Sequence, residues 1–130
     1  MDITADQVLE TLMDGNQRYV AKKLTHPHQN AARIHEIAVG QHPVAIILGC
    51  SDSRVPPEVI FDHGLGDLFV IRVAGNVVDD VVLGSIEYAV GEFGVSLVMV
   101  LGHERCGAVT AVVNHLKVPG HINMLAAAIE

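Results

Sequence analysis

Three apolar runs, each closed by a turn, divide the chain: Val44-Ala45-Ile46-Ile47-Leu48-Gly49, Leu68-Phe69-Val70-Ile71-Arg72-Val73 and Leu97-Val98-Met99-Val100-Leu101-Gly102. Continuous runs of this length suit strands of a parallel sheet covered on both faces, and they predict strands at 44–48, 68–73 and 96–101. Between them the period lengthens to that of a helix. Residues 79–93 carry Val82, Ile86, Ala89, Val90 and Phe93 at helical spacing, and 105–117 continue the pattern until Pro119-Gly120 breaks it. A further helix starts near His121. Upstream, 5–23 reads as an amphipathic helix through Val8, Leu9, Leu12, Met13 and Tyr19, although Asp14-Gly15-Asn16 falls inside it. Residues 24–30 read as a loop, and a short helix is expected over 31–39, ending at Gly40. Pro56-Pro57-Glu58 can start a short helix through Phe61, 62–67 is turn-rich, and 74–76 form a tight loop. The alternation of strand and helix predicts an α/β fold: a mostly parallel β-sheet flanked by helices, with a helical N-terminal arm. One domain over 1–130 is expected, with the arm at 1–40 and the α/β core at 41–130.

Composition narrows the classes of partner. The formal charge of −7 and the absence of any basic run beyond Lys22-Lys23 speak against nucleic acid and anionic membrane surfaces. No apolar segment has the length of a bilayer span, and the start of the chain lacks the regions of a signal peptide. A cytoplasmic, reducing compartment is therefore expected, where two cysteines are metal ligands or reactive thiols before they are a disulfide. The core should be aliphatic, since Phe and Tyr are few and Trp is absent. The eight histidines would change the net charge near pH 6.

Both cysteines stand where a predicted strand ends and the chain turns toward a helix. Cys50 opens Cys50-Ser51-Asp52-Ser53-Arg54, and Cys106 closes His103-Glu104-Arg105-Cys106. The carboxyl ends of parallel strands are where such sheets collect ligands. Two thiolates and an imidazole make a soft donor set that suits Zn²⁺, and three protein ligands leave a position for water. His103 and Cys106, three residues apart at an expected helix start, should share a face, and that terminus would favour a thiolate. Either residue alone would ordinarily be an inert core group; the pair together with Cys50 is what carries the metal reading. Asp52 has two options, to ligate the metal or to pair with Arg54 and stay off it, and an isolated turn held by that ion pair would be worth little.

These motifs resemble the β-class carbonic anhydrases: Cys50-Ser-Asp-Ser-Arg54 followed by Gly102-His103-x-x-Cys106-Gly107. Asp14-Gly15-Asn16-x-Arg18-Tyr19, Val55-Pro56-Pro57-Glu58, Gly66-Asp67-Leu68-Phe69-Val70 and Arg72-Val73-Ala74-Gly75-Asn76 agree with it. The resemblance implies Zn²⁺ on Cys50, His103 and Cys106, with Asp52 as fourth ligand in a closed, inactive state and otherwise in a catalytic dyad with Arg54. It implies reversible hydration of carbon dioxide to bicarbonate and a proton, with zinc-bound hydroxide as nucleophile oriented by the dyad. Gln41, Phe69 and Tyr88 match residues lining the carbon dioxide site, the two aromatics at a subunit interface, which implies a homodimer or higher homo-oligomer. From their positions alone, Phe69 and Tyr88 would read as core packing and Gln41 as a surface amide.

Some relatives carry a bicarbonate-dependent off-switch that uses a Trp three residues before the first Cys; Ile47 stands there, which implies the ungated subtype. His63 occupies a position where many bacterial relatives have Gln. Family members also continue well past position 130, usually with more helix and a final strand, so an open strand edge and exposed apolar surface are expected. The alternative readings are a non-catalytic zinc-stabilised interaction module and a hydrolase of a CO₂-like molecule such as COS or CS₂ on the same fold.

Overall fold

Strand β1 (Ala45–Gly49) is buried at every position and forms the centre of a three-stranded parallel sheet. A computed structural model describes residues 3–130. β2 (Leu68–Arg72) and β3 (Val98–Val100) flank β1 in the order β2-β1-β3. Alternation along β1 sends neighbouring side chains to opposite faces. Ala45 and Ile47 join Val8, Leu12, Ile60, Phe61 and Leu68 on one side, while Ile46 joins Ala89 and Val95 on the other. The first layer is built by α1 (Ala5–Val20) and α3 (Pro57–Ile60), and the second by α4 (Asp80–Phe93). α2 (Ala31–Ile37) lies between α1 and β1 in the chain, and α5 (Gly107–Val113) and α6 (Ile122–Ile129) follow β3.

Helix boundaries follow from caps and from backbone that leaves the helical region. Thr4 and Gln7 form a reciprocal capping box at the start of α1, Asn30 caps α2 and Asp79 caps α4. Lys22 takes a positive φ of 60°, so α1 stops short of the expected residue 23. α2 likewise ends before residue 39. Asp14-Gly15-Asn16 does not break α1; Gly15 is buried there because the helix passes directly over the Phe61 carbonyl.

The expected helix over 105–117 is shorter at both ends. Arg105 (φ 58°) and His115 (φ 53°) are left-handed, which confines α5 to Gly107–Val113 and leaves Cys106 as its N-cap residue. His103 therefore sits in the turn before the helix, and it does not share a helix face with Cys106.

The turn-rich 62–67 segment is a buried polar anchor. Asp62 accepts from Arg18 Nε (2.6 Å), from Thr25 N (2.9 Å) and Oγ1 (2.8 Å), and from His26 N (3.0 Å). Asp67 accepts from Gly64 N at 2.7 Å, and its other oxygen lies 2.7 Å from His28 Nδ1 and 3.3 Å from Arg33 Nη2. Buried His63 places Nδ1 2.7 Å from the Phe61 carbonyl. Among the described residues β2 and β3 are the sheet's edges, with Val98 and Val100 of β3 exposed. Among the same residues, no helix is long and apolar enough to cross a membrane.

Candidate metal centre

The register of the sheet closes the long gap between the two halves of the site. Leu48 of β1 pairs with Val100 of β3, and the ladder continues as Leu101 N donates to Leu48 O at 2.8 Å. Two residues further along each strand, Cys50 and Gly102 emerge side by side, and the turn from Gly102 delivers His103 and then Cys106. The Sγ atoms of Cys50 and Cys106 lie 3.9 Å apart, and the ligand atoms of Cys50, His103 and Cys106 all fall within 4.8 Å of one another. Both cysteines are free thiols, 4% and 8% exposed.

One atom in this cluster sets it apart from a packed core. His103 Nδ1 lies 2.8 Å from the Glu104 carbonyl, a contact that directs the ring proton there and leaves the lone pair on Nε2. Nε2 is buried and has no hydrogen-bond partner, although buried polar atoms ordinarily have one. A soft divalent cation held jointly with the two sulfurs would satisfy it, so the residues present fit Zn²⁺. A cavity of about 360 Å³, lined in part by Gly75, Asn76, His103, Cys106 and Val109, opens onto the cluster.

Electrostatics support the same reading. Burial pushes the Cys50 thiol up, but the Asp52 and Gly75 backbone N–H groups and the neighbouring His103 and Cys106 side chains outweigh it and bring the pKa down to about 7. The nearby Cys50 sulfur raises His103 against the opposing effect of its burial. The Gly75 N–H donates to Cys50 Sγ at 3.3 Å. Gly75 has φ 75°, and a Cβ there would lie 2.8 Å from Ile129 Cδ1, so both backbone conformation and the approach of α6 call for glycine.

Asp52 is not a member of the ligand cluster. Its Oδ1 accepts from Arg54 N (2.8 Å) and Nε (2.9 Å), and its Oδ2 accepts from Arg54 Nη2 (2.6 Å). This bidentate grip holds the carboxyl well below the usual carboxylate range. Oδ2 still lies 3.9 Å from His103 Nε2, beside the position the metal would take. Arg54 Nη2 also donates to the Arg105 carbonyl at 3.0 Å, tying the two ligand-bearing loops together.

Gln41, Phe69 and Tyr88 lie elsewhere within the chain. Gln41 is exposed just before β1, at the end of that strand opposite Cys50. Phe69 pairs in register with Ile46 and is half-buried, in an aromatic cluster with Tyr88 (ring centroids 6.2 Å) and Phe93 (6.2 Å). Tyr88 is 54% exposed. Ile47 is fully buried against the α1 layer. Nothing in their residue types singles out the Gly75 N–H or the Arg72 guanidinium, whose signal in the chain is membership in the run Arg72-Val73-Ala74-Gly75-Asn76.

A family model described as carbonic anhydrase matches residues 45–130. The chain belongs to the β-class carbonic anhydrases. Over 114 residues it is 52% identical to "Carbonic anhydrase 2" of Mycobacterium tuberculosis, covering 85% of this chain and 55% of that protein. A carbonic anhydrase of Mycolicibacterium smegmatis is 51% identical over 107 residues, covering 82% of this chain and 52% of that one. The chain thus spans about half the length of the curated relatives it matches. Among solved structures, a tetrameric β-carbonic anhydrase of Sordaria macrospora superposes with TM-score 0.71 at 29% identity, covering 92% of this chain and 61% of that one. The β-carbonic anhydrase CafA of Aspergillus fumigatus superposes with TM-score 0.69 at 33% identity, covering 92% and 57%.

Proposed function

We propose that this protein catalyses the reversible hydration of carbon dioxide to bicarbonate and a proton, with zinc held by Cys50, His103 and Cys106. The observation that carries the reading is the buried, unpartnered His103 Nε2 facing two thiols while Asp52 is drawn onto Arg54. When bound, zinc supplies Lewis acidity that brings a coordinated water toward a pKa of about 7.

The chain's own residues do the rest. Asp52, kept ionised by Arg54, can only accept a hydrogen bond. An O–H group beside the metal would therefore point its proton at the carboxylate and turn a lone pair toward carbon dioxide. Arg54 would also hold Asp52 off a zinc bound by the three donors, so that water could reach it.

Gln41, Phe69 and Tyr88 complete the substrate pocket in a homodimer or larger homo-oligomer, because their places in a single chain do not converge on the ligand cluster. The half-exposed aromatic cluster supports that assembly. Ile47 makes the enzyme ungated by bicarbonate, and the free cysteines suit a cytoplasmic setting.

Stopped-flow carbon dioxide hydration on zinc-quantified protein, between about pH 7 and 9, tests the proposal. The expected result is zinc-dependent turnover that rises with pH, and its collapse in Asp52→Asn at unchanged zinc content. One zinc per chain with no turnover would overturn the catalytic reading and leave a zinc-stabilised binding module. Normal turnover by Asp52→Asn would remove Asp52 from the mechanism.

A further inference from the structure

Arg72 closes β2 and touches none of the ligand atoms, yet its guanidinium spans the backbone on which the site is built. The β1–β2 register sets Arg72 opposite Gly49, the residue before Cys50. From there the side chain reaches forward over the loop that follows. Nε donates to the Cys50 carbonyl at 2.7 Å and Nη2 donates to the Asp52 carbonyl at 2.5 Å. The Asp52 carbonyl also accepts from Val55 N at 3.2 Å, so the carboxyl end of the tripeptide is fastened twice.

We propose that Arg72 is a positioning residue that sets the distance between the Cys50 sulfur and the Asp52 carboxylate by clamping the two carbonyls that bracket Ser51. The proposal rests on the zinc-hydration reading of the site. The Asp52 carboxylate is otherwise held by Arg54, which belongs to the same loop and whose tie outside it is to the Arg105 carbonyl, in another loop and not in the sheet. Arg72 belongs to the sheet, and it is the side chain that references this loop to the rigid strands. The guanidinium suits the task because its planar fork presents two donors at fixed separation, whereas the ammonium of a lysine is a single point. Supporting groups of this kind ordinarily change activity or metal affinity by about 10- to 100-fold when removed.

The test uses the full chain with Arg72→Gln, Arg72→Lys, Asp52→Asn and the Arg72→Gln/Asp52→Asn double variant, each loaded with zinc and separately with Co²⁺. The expected Arg72→Gln result is one zinc per chain and kcat reduced about 10- to 100-fold, with Arg72→Lys intermediate. The double variant should be no slower than Asp52→Asn, since both changes act through the same carboxylate. In the cobalt form, the visible absorption band and its pH dependence should differ between Arg72→Gln and the unsubstituted protein, because the carboxylate beside the metal has moved.

Wild-type kcat in Arg72→Gln, or losses that multiply in the double variant, would overturn the proposal. If Arg72→Gln does not fold, Arg72→Lys carries the same comparison, and an unaltered cobalt band with full kcat overturns it. Absence of turnover in the unsubstituted zinc protein would instead defeat the hydration reading. The cobalt spectra would then judge Arg72 alone, a shifted band supporting the clamp and an unchanged one refuting it.

Discussion

Gly15→Ala separates two physical arguments that predict opposite signs. By helix propensity alone, alanine in the interior of α1 should stabilise the protein by about 1 kcal/mol. Packing predicts the reverse. A Cβ at Gly15 would lie 1.7 Å from the Phe61 carbonyl oxygen and 2.7 Å from its carbon, where ordinary contact begins near 3.4 Å. These are backbone atoms at the end of α3, so no rotamer change relieves the clash, and α1 must retreat by more than an ångström. Overpacking of this kind costs about 1–3 kcal/mol.

The retreat also stretches the bonds on the same stretch of helix, from Asn16 Nδ2 to Ile60 O (2.9 Å) and from Arg18 Nε to Asp62 (2.6 Å). Weakening these two adds about 1–2 kcal/mol, so Gly15→Ala should be destabilised by about 1–4 kcal/mol net of the propensity gain. Urea denaturation followed by far-ultraviolet circular dichroism reads this as a lower midpoint at unchanged slope. A variant as stable as the parent, or more so, would refute the close approach of α1 to α3.

Asp62→Asn should cost about 3 kcal/mol near neutral pH, since it removes the charge from a side chain only 1% exposed that binds Arg18 and the Thr25–His26 backbone. The Asp62 carboxyl is depressed below its unfolded value: burial pushes it up, but Arg18, Thr25 and His26 outweigh that effect. Its stabilisation is therefore present above about pH 4 and is lost as pH falls further, so the gap between parent and variant should narrow in acid; a constant gap would count against it. Cys106→Ser should lose zinc by metal analysis while the sheet remains folded, and a fully loaded serine variant would refute the ligand assignment. Chelation should release the Cys50 and Cys106 thiols to alkylating reagents in mass spectrometry, whereas the loaded protein should resist; equal rates would show that no metal covers them.

How much of the site could be read in advance depends on the range of the forces involved. Cys50, Asp52 and Arg54 lie within five residues, and their ion pair is local chemistry that a sequence motif encodes directly. The approach of His103 and Cys106 could be inferred because both follow apolar runs, and strands of one parallel sheet release their loops at the same end. Details that depend on dihedrals escaped that reasoning. Arg105 in a left-handed conformation is what removes His103 from α5, and nothing in the residue type announces it. The anchoring role of 62–67 was hidden for a similar reason: a string of Asp, His and Gly looks like a solvated turn until Arg18, Arg33 and the Thr25–His26 backbone arrive from elsewhere to satisfy it.

The layered α/β plan follows from the residue pattern alone, since aliphatic runs of strand length alternating with helical periodicity can bury their apolar faces in few other ways. The donor chemistry follows from it too, because two thiols and an imidazole at strand ends form a soft donor set whatever the finer geometry. Three outcomes come from the folded chain and not from its residue types: which imidazole nitrogen is left unpartnered, that Asp52 turns to Arg54 and away from the Cys50–His103–Cys106 cluster, and that Arg72 spans two carbonyls of the Cys50 loop. Each of these outcomes rests on strand register and on differences of about an ångström between a hydrogen bond and a mere neighbour. Distances of that size are set by the packing of the whole chain and are not carried by the type of any one residue.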